Sequence, residues 1–165
     1  MISRKPDFSG IWKRDNSAIS NVFSSDCPGQ DPAPSSPTSP SLSPKIASNQ
    51  SYTNIITMSG PHLRIQEFGG NVKIEDTWYI LSQDIATQDY IDTIYMKKRY
   101  RSRCFWENDS LVMHRVNISD NYELRAKREL LRDESGRNLI RLTSTYRNIL
   151  SGEETESSSI FAQVV

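Results

Sequence analysis

The stretch Asp7-Phe8-Ser9-Gly10-Ile11-Trp12-Lys13 decides how this chain is read. Gly10 stands one step before an Ile-Trp pair, so the backbone can turn tightly there with no Cβ in the way. The Trp12 indole is then placed to plug one end of a closed sheet, the entry to a small β-barrel. Over seven residues alone, an ordinary core aromatic beside an ordinary turn reads the same way. Position favours the barrel, because short alternating strands follow the motif to the end of the chain.

Beyond Pro44 the apolar period is close to two, with turn residues between the runs. Strands are expected at 54–58 and 63–68, on either side of Ser59-Gly60-Pro61, and at 71–81 after a reversal at Gly69-Gly70. In the last of these, Val72, Ile74, Trp78 and Ile80 are expected to share the core face, with Lys73, Glu75 and Thr77 in water. The run 91–106 is too long and too charged for one flat strand and is divided near Arg99. Further strands are expected at 111–118, 122–131, 139–148 and 158–165. With the first strand they make about ten, spaced as an up-and-down meander requires. The expected fold is all-β: an up-and-down barrel, closed on itself so that no edge strand is left exposed.

A length of 165 residues suits one domain, spanning 1–165. Twenty Lys and Arg balance twenty Asp and Glu, so no global field draws the chain to nucleic acid or to an anionic membrane. Nucleic acid is therefore not an expected partner, and any such binding would have to be local. The opening Met-Ile-Ser-Arg-Lys-Pro-Asp has no apolar core of a leader, and no run approaches the roughly 18 apolar residues that span a bilayer. A cytoplasmic monomer is expected. Cys27 and Cys104 show neither CxxC nor Cys/His ligand spacing, so no metal or other cofactor is expected.

Composition changes sharply over residues 24–43, a Ser/Pro-rich stretch with almost no apolar side chain. Such a segment cannot bury enough surface to offset the entropy of ordering it, and is read as a disordered insert after the first strand. Its Ser-Pro steps are open either to phosphorylation or to service as a solvated spacer.

With Phe8-Ser9-Gly10-Ile11-Trp12-Lys13 at the start, Lys45-Ile46-Ala47, the Gly69-Gly70 hairpin and the closing Ser158-Ser159-Ile160-Phe161-Ala162, the chain resembles the calycin superfamily. Within it, the likeness is to the intracellular lipid-binding proteins of the fatty-acid-binding type. The resemblance implies a ten-stranded barrel around a cavity for one hydrophobic ligand, often a fatty acid or retinoid. Two departures stand out. The family's helical lid falls where this chain has its Ser/Pro-rich insert, and the family's Arg-x-Tyr carboxylate grip falls on Ser159 and Phe161. A short hydroxyl and a plain ring cannot make that charge-assisted, bidentate contact.

One substitute is visible in the strand 122–131, whose even positions are Tyr122, Leu124, Ala126, Arg128 and Leu130. Arg128 thus lies on the apolar face, where it needs an anion: either an acidic ligand head group or a structural ion-pair partner. The same parity gives Val112, His114, Val116 and Ile118 on one neighbouring strand and Ile140, Leu142, Ser144 and Tyr146 on the other. His114 and Tyr146 are then polar points in an apolar cavity, and His114 reads as a satisfied core or rim histidine before a haem or metal ligand, because the only other histidine is His62 and no ligand cluster surrounds it. Tyr122, Trp106 and Trp78 complete the candidate ligand-binding set.

Lys97-Lys98-Arg99-Tyr100-Arg101-Ser102-Arg103 places Lys97, Arg99, Arg101 and Arg103 on one face. That ladder could touch phosphate at a membrane surface, or be a solvated face paired with acids such as Glu75 or Glu123. No Gly-rich phosphate loop, Gly-x-Ser-x-Gly elbow or metal signature is present, so no catalytic residue is assigned and the protein is not read as an enzyme. The expected function is binding of a small hydrophobic or amphipathic ligand inside the barrel. The alternative is an interaction module that uses the strand 97–103 and the insert to bind a protein or anionic partner.

Overall fold

The computed structural model describes residues 4–15, 51–82 and 89–164. The Ser/Pro-rich stretch 24–43, Lys45-Ile46-Ala47 and Cys27 lie outside the described residues. Ten antiparallel strands form one sheet: β1 (Gly10–Arg14), β2 (Tyr52–Ser59), β3 (His62–Gly69), β4 (Val72–Ile80), β5 (Ile91–Tyr95), β6 (Lys98–Glu107), β7 (Ser110–Asn117), β8 (Tyr122–Arg132), β9 (Asn138–Asn148) and β10 (Glu154–Gln163). The order β4-β3-β2-β1-β10-β9-β8-β7-β6-β5 is a meander in which β1 pairs with β10 and rolls the sheet round. The fold is the expected up-and-down barrel, closed except for a seam between β4 and β5. No ladder joins those strands among the described residues. Near the seam, Met96 N–H donates to Ile74 O at 3.4 Å, and a short bridge joins Ser82 to Phe105 on β6.

The opening motif works as the sequence suggests. Trp12 is 1% exposed and its indole N–H donates to Phe8 O at 2.9 Å, folding the first residues under the barrel. Gly10 has φ +144°, so the backbone conformation demands glycine, and a Cβ there would also have to displace the Gln163 amide, 2.8 Å away. Phe8, Trp12, Ile56, Leu63, Ile65, Leu111, Met113 and Ile140 build the main core, with Trp106 packed against it.

Three expectations need correction. The long run 91–106 breaks at Met96 and Lys97, not near Arg99: both residues are left-handed, with φ 48° and 65°, a two-residue hairpin turn that carries neither Gly nor Asn to announce it. On β4 the inward residues are Glu75, half-buried Thr77 and Tyr79, while Trp78 and Ile80 are 55% and 65% exposed. The cause is an extra residue, Ile74, between the Glu67–Glu75 and Phe68–Lys73 pairs: β4 carries a bulge against β3, and the faces exchange across it. On β7 the inward residues are Leu111, Met113, Arg115 and Asn117, so His114 faces outward. Leu111, Val112 and Met113 are all apolar and all buried, so hydrophobic parity carries no information about which face is which.

Candidate functional site

A cavity of about 330 Å³ lies inside the barrel, beyond the core that Trp12 seals. Its apolar wall is Met113, Leu124, Ala126, Leu142 and Phe161. Its polar wall includes Arg14 from β1, Tyr52, Glu67, Arg115, Arg128 and Tyr146. Each is delivered by strand alternation: Arg14 follows Trp12 by two residues, Glu67 follows the buried Leu63 and Ile65, and Arg128 follows Leu124 and Ala126.

Glu67 and Glu75 stand opposite each other in the β3–β4 ladder, both pointing inward. Two like charges so placed repel. They are held by bases from the far side of the barrel. Arg128 Nη2 donates to Glu67 Oε1 at 3.0 Å, and Arg115 forms an ion pair with Glu75. Tyr52 donates to Glu67 Oε2 at 2.6 Å, and Tyr79 to Glu75 Oε1 at 3.1 Å. The Arg115 guanidinium also lies over the Tyr95 ring, 4.3 Å from its centre. Burial pushes the Glu67 carboxyl above the usual carboxylate range, and the neighbouring Glu75 adds to the push, against the pull of Arg128 and Arg115. Burial next to Glu67 likewise raises the Tyr52 phenol, and burial, with Glu75 adding to it, pushes the Cys104 thiol up to about 12, which makes it inert.

The charge count inside is uneven. Among the described residues Arg14, Arg115 and Arg128 face Glu67 and Glu75, and no other acid lines the cavity. Arg14 Nε, Arg115 Nε and Arg128 Nη1 are buried with no hydrogen-bond partner among the described residues. A buried donor left unmade costs roughly 1–3 kcal/mol, more when charged, so these atoms favour an acceptor brought in from outside.

Of the six residues expected at the site, Arg128 and Tyr146 line the cavity together. Tyr122 points inward but spends its hydroxyl on Tyr100. Trp106 is inward at the sealed end, its ring 6.0 Å from Phe8. Trp78 lies on the outer surface under Arg64. His114 is also outside, between Tyr90 Oη at 2.8 Å and Glu123 Oε2 at 3.2 Å, and burial lowers its pKa. A neutral ring accepting from Tyr90 and donating to Glu123 satisfies both contacts. Glu75 is buried with Arg115 and Glu123 binds His114 and Arg147, so neither is set against the basic strand. No group of three or more His, Cys, Asp and Glu suited to a metal ion occurs among the described residues. Arg14, Arg115 and Glu67 are the site residues the sequence reading passed over. Alternation from Trp12 and from Leu63 and Ile65 was a usable signal for Arg14 and Glu67.

The architecture is that of a fold, the fatty-acid-binding-protein-like ten-stranded barrel, and comparison with solved structures agrees. Apo lipid binding protein 8 of Caenorhabditis elegans superposes with a TM-score of 0.57 at 15% identity, covering 95% of each chain. A secretory abundant heat soluble protein of Ramazzottius varieornatus gives 0.58 at 13% identity over 95% of each chain. Secretory abundant heat soluble protein 4 of the same organism gives 0.57 at 12%, covering 95% of this chain and 94% of that one. At such identities the likeness is one of fold. No protein-family model and no curated protein sequence matches the chain.

Proposed function

We propose that the chain binds one small amphipathic molecule of the fatty-acid or lipid-like kind inside the barrel, with an anionic head group turned toward Arg14 and Arg128. The observation that carries this reading is the uneven interior: a cavity of about 330 Å³ with an apolar wall, one cation more than its carboxylates, and buried guanidinium nitrogens without partners. That volume is at the low end of the roughly 300–1,000 Å³ typical of ligand pockets, so the ligand is small or extends out of the mouth. Leu124, Leu142 and Phe161 would remove its tail from water at about 25 cal/mol per Å². The fold shared with a protein named for lipid binding supports the reading. It involves burial and orientation, not catalysis.

Arg14 is the residue for the test, because it lines the cavity without belonging to either buried ion pair. Arg14→Met should weaken a fluorescent fatty acid by about 1.5–3 kcal/mol, the worth of a hydrogen bond to a charged group, and leave its methyl ester nearly unchanged. Titration of both ligands into both proteins decides the matter. Equal losses would mean that Arg14 acts through structure alone. Failure of both ligands to bind the parent would remove the cavity reading and favour the interaction module.

A further inference from the structure

The outer side of the β4–β5 seam carries chemistry of its own. Exposed large apolar side chains gather there among the described residues: Trp78, Ile80 and Ile94 are each more than half exposed, with Val72, Ile91 and Met96 beside them. Single exposed apolar residues are ordinary, but a contiguous set marks an interaction surface. These are contiguous. Trp78 and Ile91 together line two grooves along the seam, of about 610 and 480 Å³, the first reaching Ile80 and the second Ile94.

Basic residues run along both flanks. On β3, Arg64 is opposite Trp78 in register, its guanidinium 5.3 Å from the indole centre. On β6, Arg99 is opposite Ile94, with Arg101 two residues on along the same face. Of the acids nearby, Asp76 is already held by Arg64 and Lys73, and Asp92 stands opposite Arg101. Lys97 and Arg99 are exposed with no acid set against them among the described residues. In a chain of zero net charge this is a local excess, placed around an apolar centre.

We propose that this face docks on a phospholipid surface bearing anionic head groups, with Trp78, Ile80 and Ile94 at the acyl boundary and Arg64, Lys97, Arg99 and Arg101 among the head groups. Amphipathic surfaces bind bilayers in this arrangement, apolar side chains inward and cationic side chains reaching up to the head groups. A nucleic-acid backbone would call for cations at the centre of the face, where this one has tryptophan and isoleucine. The inference is independent of what the cavity holds.

The test is sedimentation of the full chain with vesicles of phosphatidylcholine alone and of phosphatidylcholine mixed with phosphatidylserine. Retention is expected on the mixed vesicles at low salt, with little on the neutral ones and release as salt is raised. Arg99→Gln/Arg101→Gln should lower the partition coefficient about fivefold for each cation removed. Trp78→Ser/Ile94→Ser should lower it by on the order of tenfold. Both variants alter exposed side chains and should melt as the parent does. Absence of binding to mixed vesicles, equal binding to the two kinds, or full binding by either variant overturns the proposal. Preference for immobilised polyglutamate over vesicles also overturns it, and would make the face a docking site for acidic protein.

Discussion

Arg128 holds Glu67 with one guanidinium nitrogen and leaves another, Nη1, buried and unmatched among the described residues. The ion pair is the structural use of an inward arginine; the unmatched nitrogen is what an acidic ligand would take. Removing one member of a buried pair strands the other, so Arg128→Met should cost about 3–5 kcal/mol in urea unfolding at neutral pH. Arg128→Met/Glu67→Gln should regain most of that, since an amide can still accept from Tyr52 without carrying charge. The single variant's deficit should also depend on pH. Burial already raises the folded pKa of Glu67, and losing Arg128 raises it further. A carboxyl raised in the folded state is most compatible with folding below its unfolded pKa, and stability is lost as pH rises through the folded value. The deficit should therefore shrink on acidification. A deficit that does not change with pH would show that Glu67 is not the stranded group.

At the level of strands, Asp76 fastens β4 to β3. It accepts from Arg64 Nε at 2.8 Å, from Gln66 at 3.1 Å and from Lys73 at 3.1 Å, and the Arg64 hydrogen bond leads in holding its carboxyl down at about 2. A carboxyl lowered in the folded state stabilises above its unfolded pKa, near 3.8, and loses that contribution as pH falls through about 2. Unfolding midpoints of the parent should drop across that window, and those of Asp76→Asn should be flatter. Because the site is largely solvent-exposed, the effect is small. Strand-level legibility follows from how each strand meets water. β8 and β9 alternate cleanly, so Leu124, Ala126, Arg128, Leu142 and Tyr146 could be placed inside from sequence. β4 and β7 could not be. One is thrown out of step by its own bulge at Ile74 and carries exposed apolar residues at the seam; the other is apolar on both faces over Leu111, Val112 and Met113. The glycine-free turn at Met96-Lys97 hid the boundary between β5 and β6 for the same kind of reason: the local chemistry that usually marks the feature is missing.

Across the whole molecule the seam is where the hydrogen-bond network stops. Backbone amides of β4 and β5 that face it lack a ladder partner, so they should exchange hydrogen much faster than those of β8 and β9, which are paired from Tyr122–Asn148 to Arg132–Asn138. Residue-resolved exchange by NMR would check this, and uniform protection around the barrel would contradict the topology. A second line, a short ladder, runs opposite, where among the described residues β1 meets β10 through three residue pairs, Trp12 with Gln163, Lys13 with Ala162 and Arg14 with Phe161, flanked by Asp15 N–H to Ile160 O and Val164 N–H to Ile11 O. The two lines divide the barrel into blocks that are also consecutive along the chain, β1 to β4 and β5 to β10. Both buried acids, Glu67 and Glu75, belong to the first block, and their bases, Arg128 and Arg115, to the second. The first half to leave the ribosome thus carries two inward carboxylates whose ion-pair partners both lie in the second half. Those pairs close only when β7 and β8 are in place, so the charge pairing couples the two halves and favours a single cooperative transition.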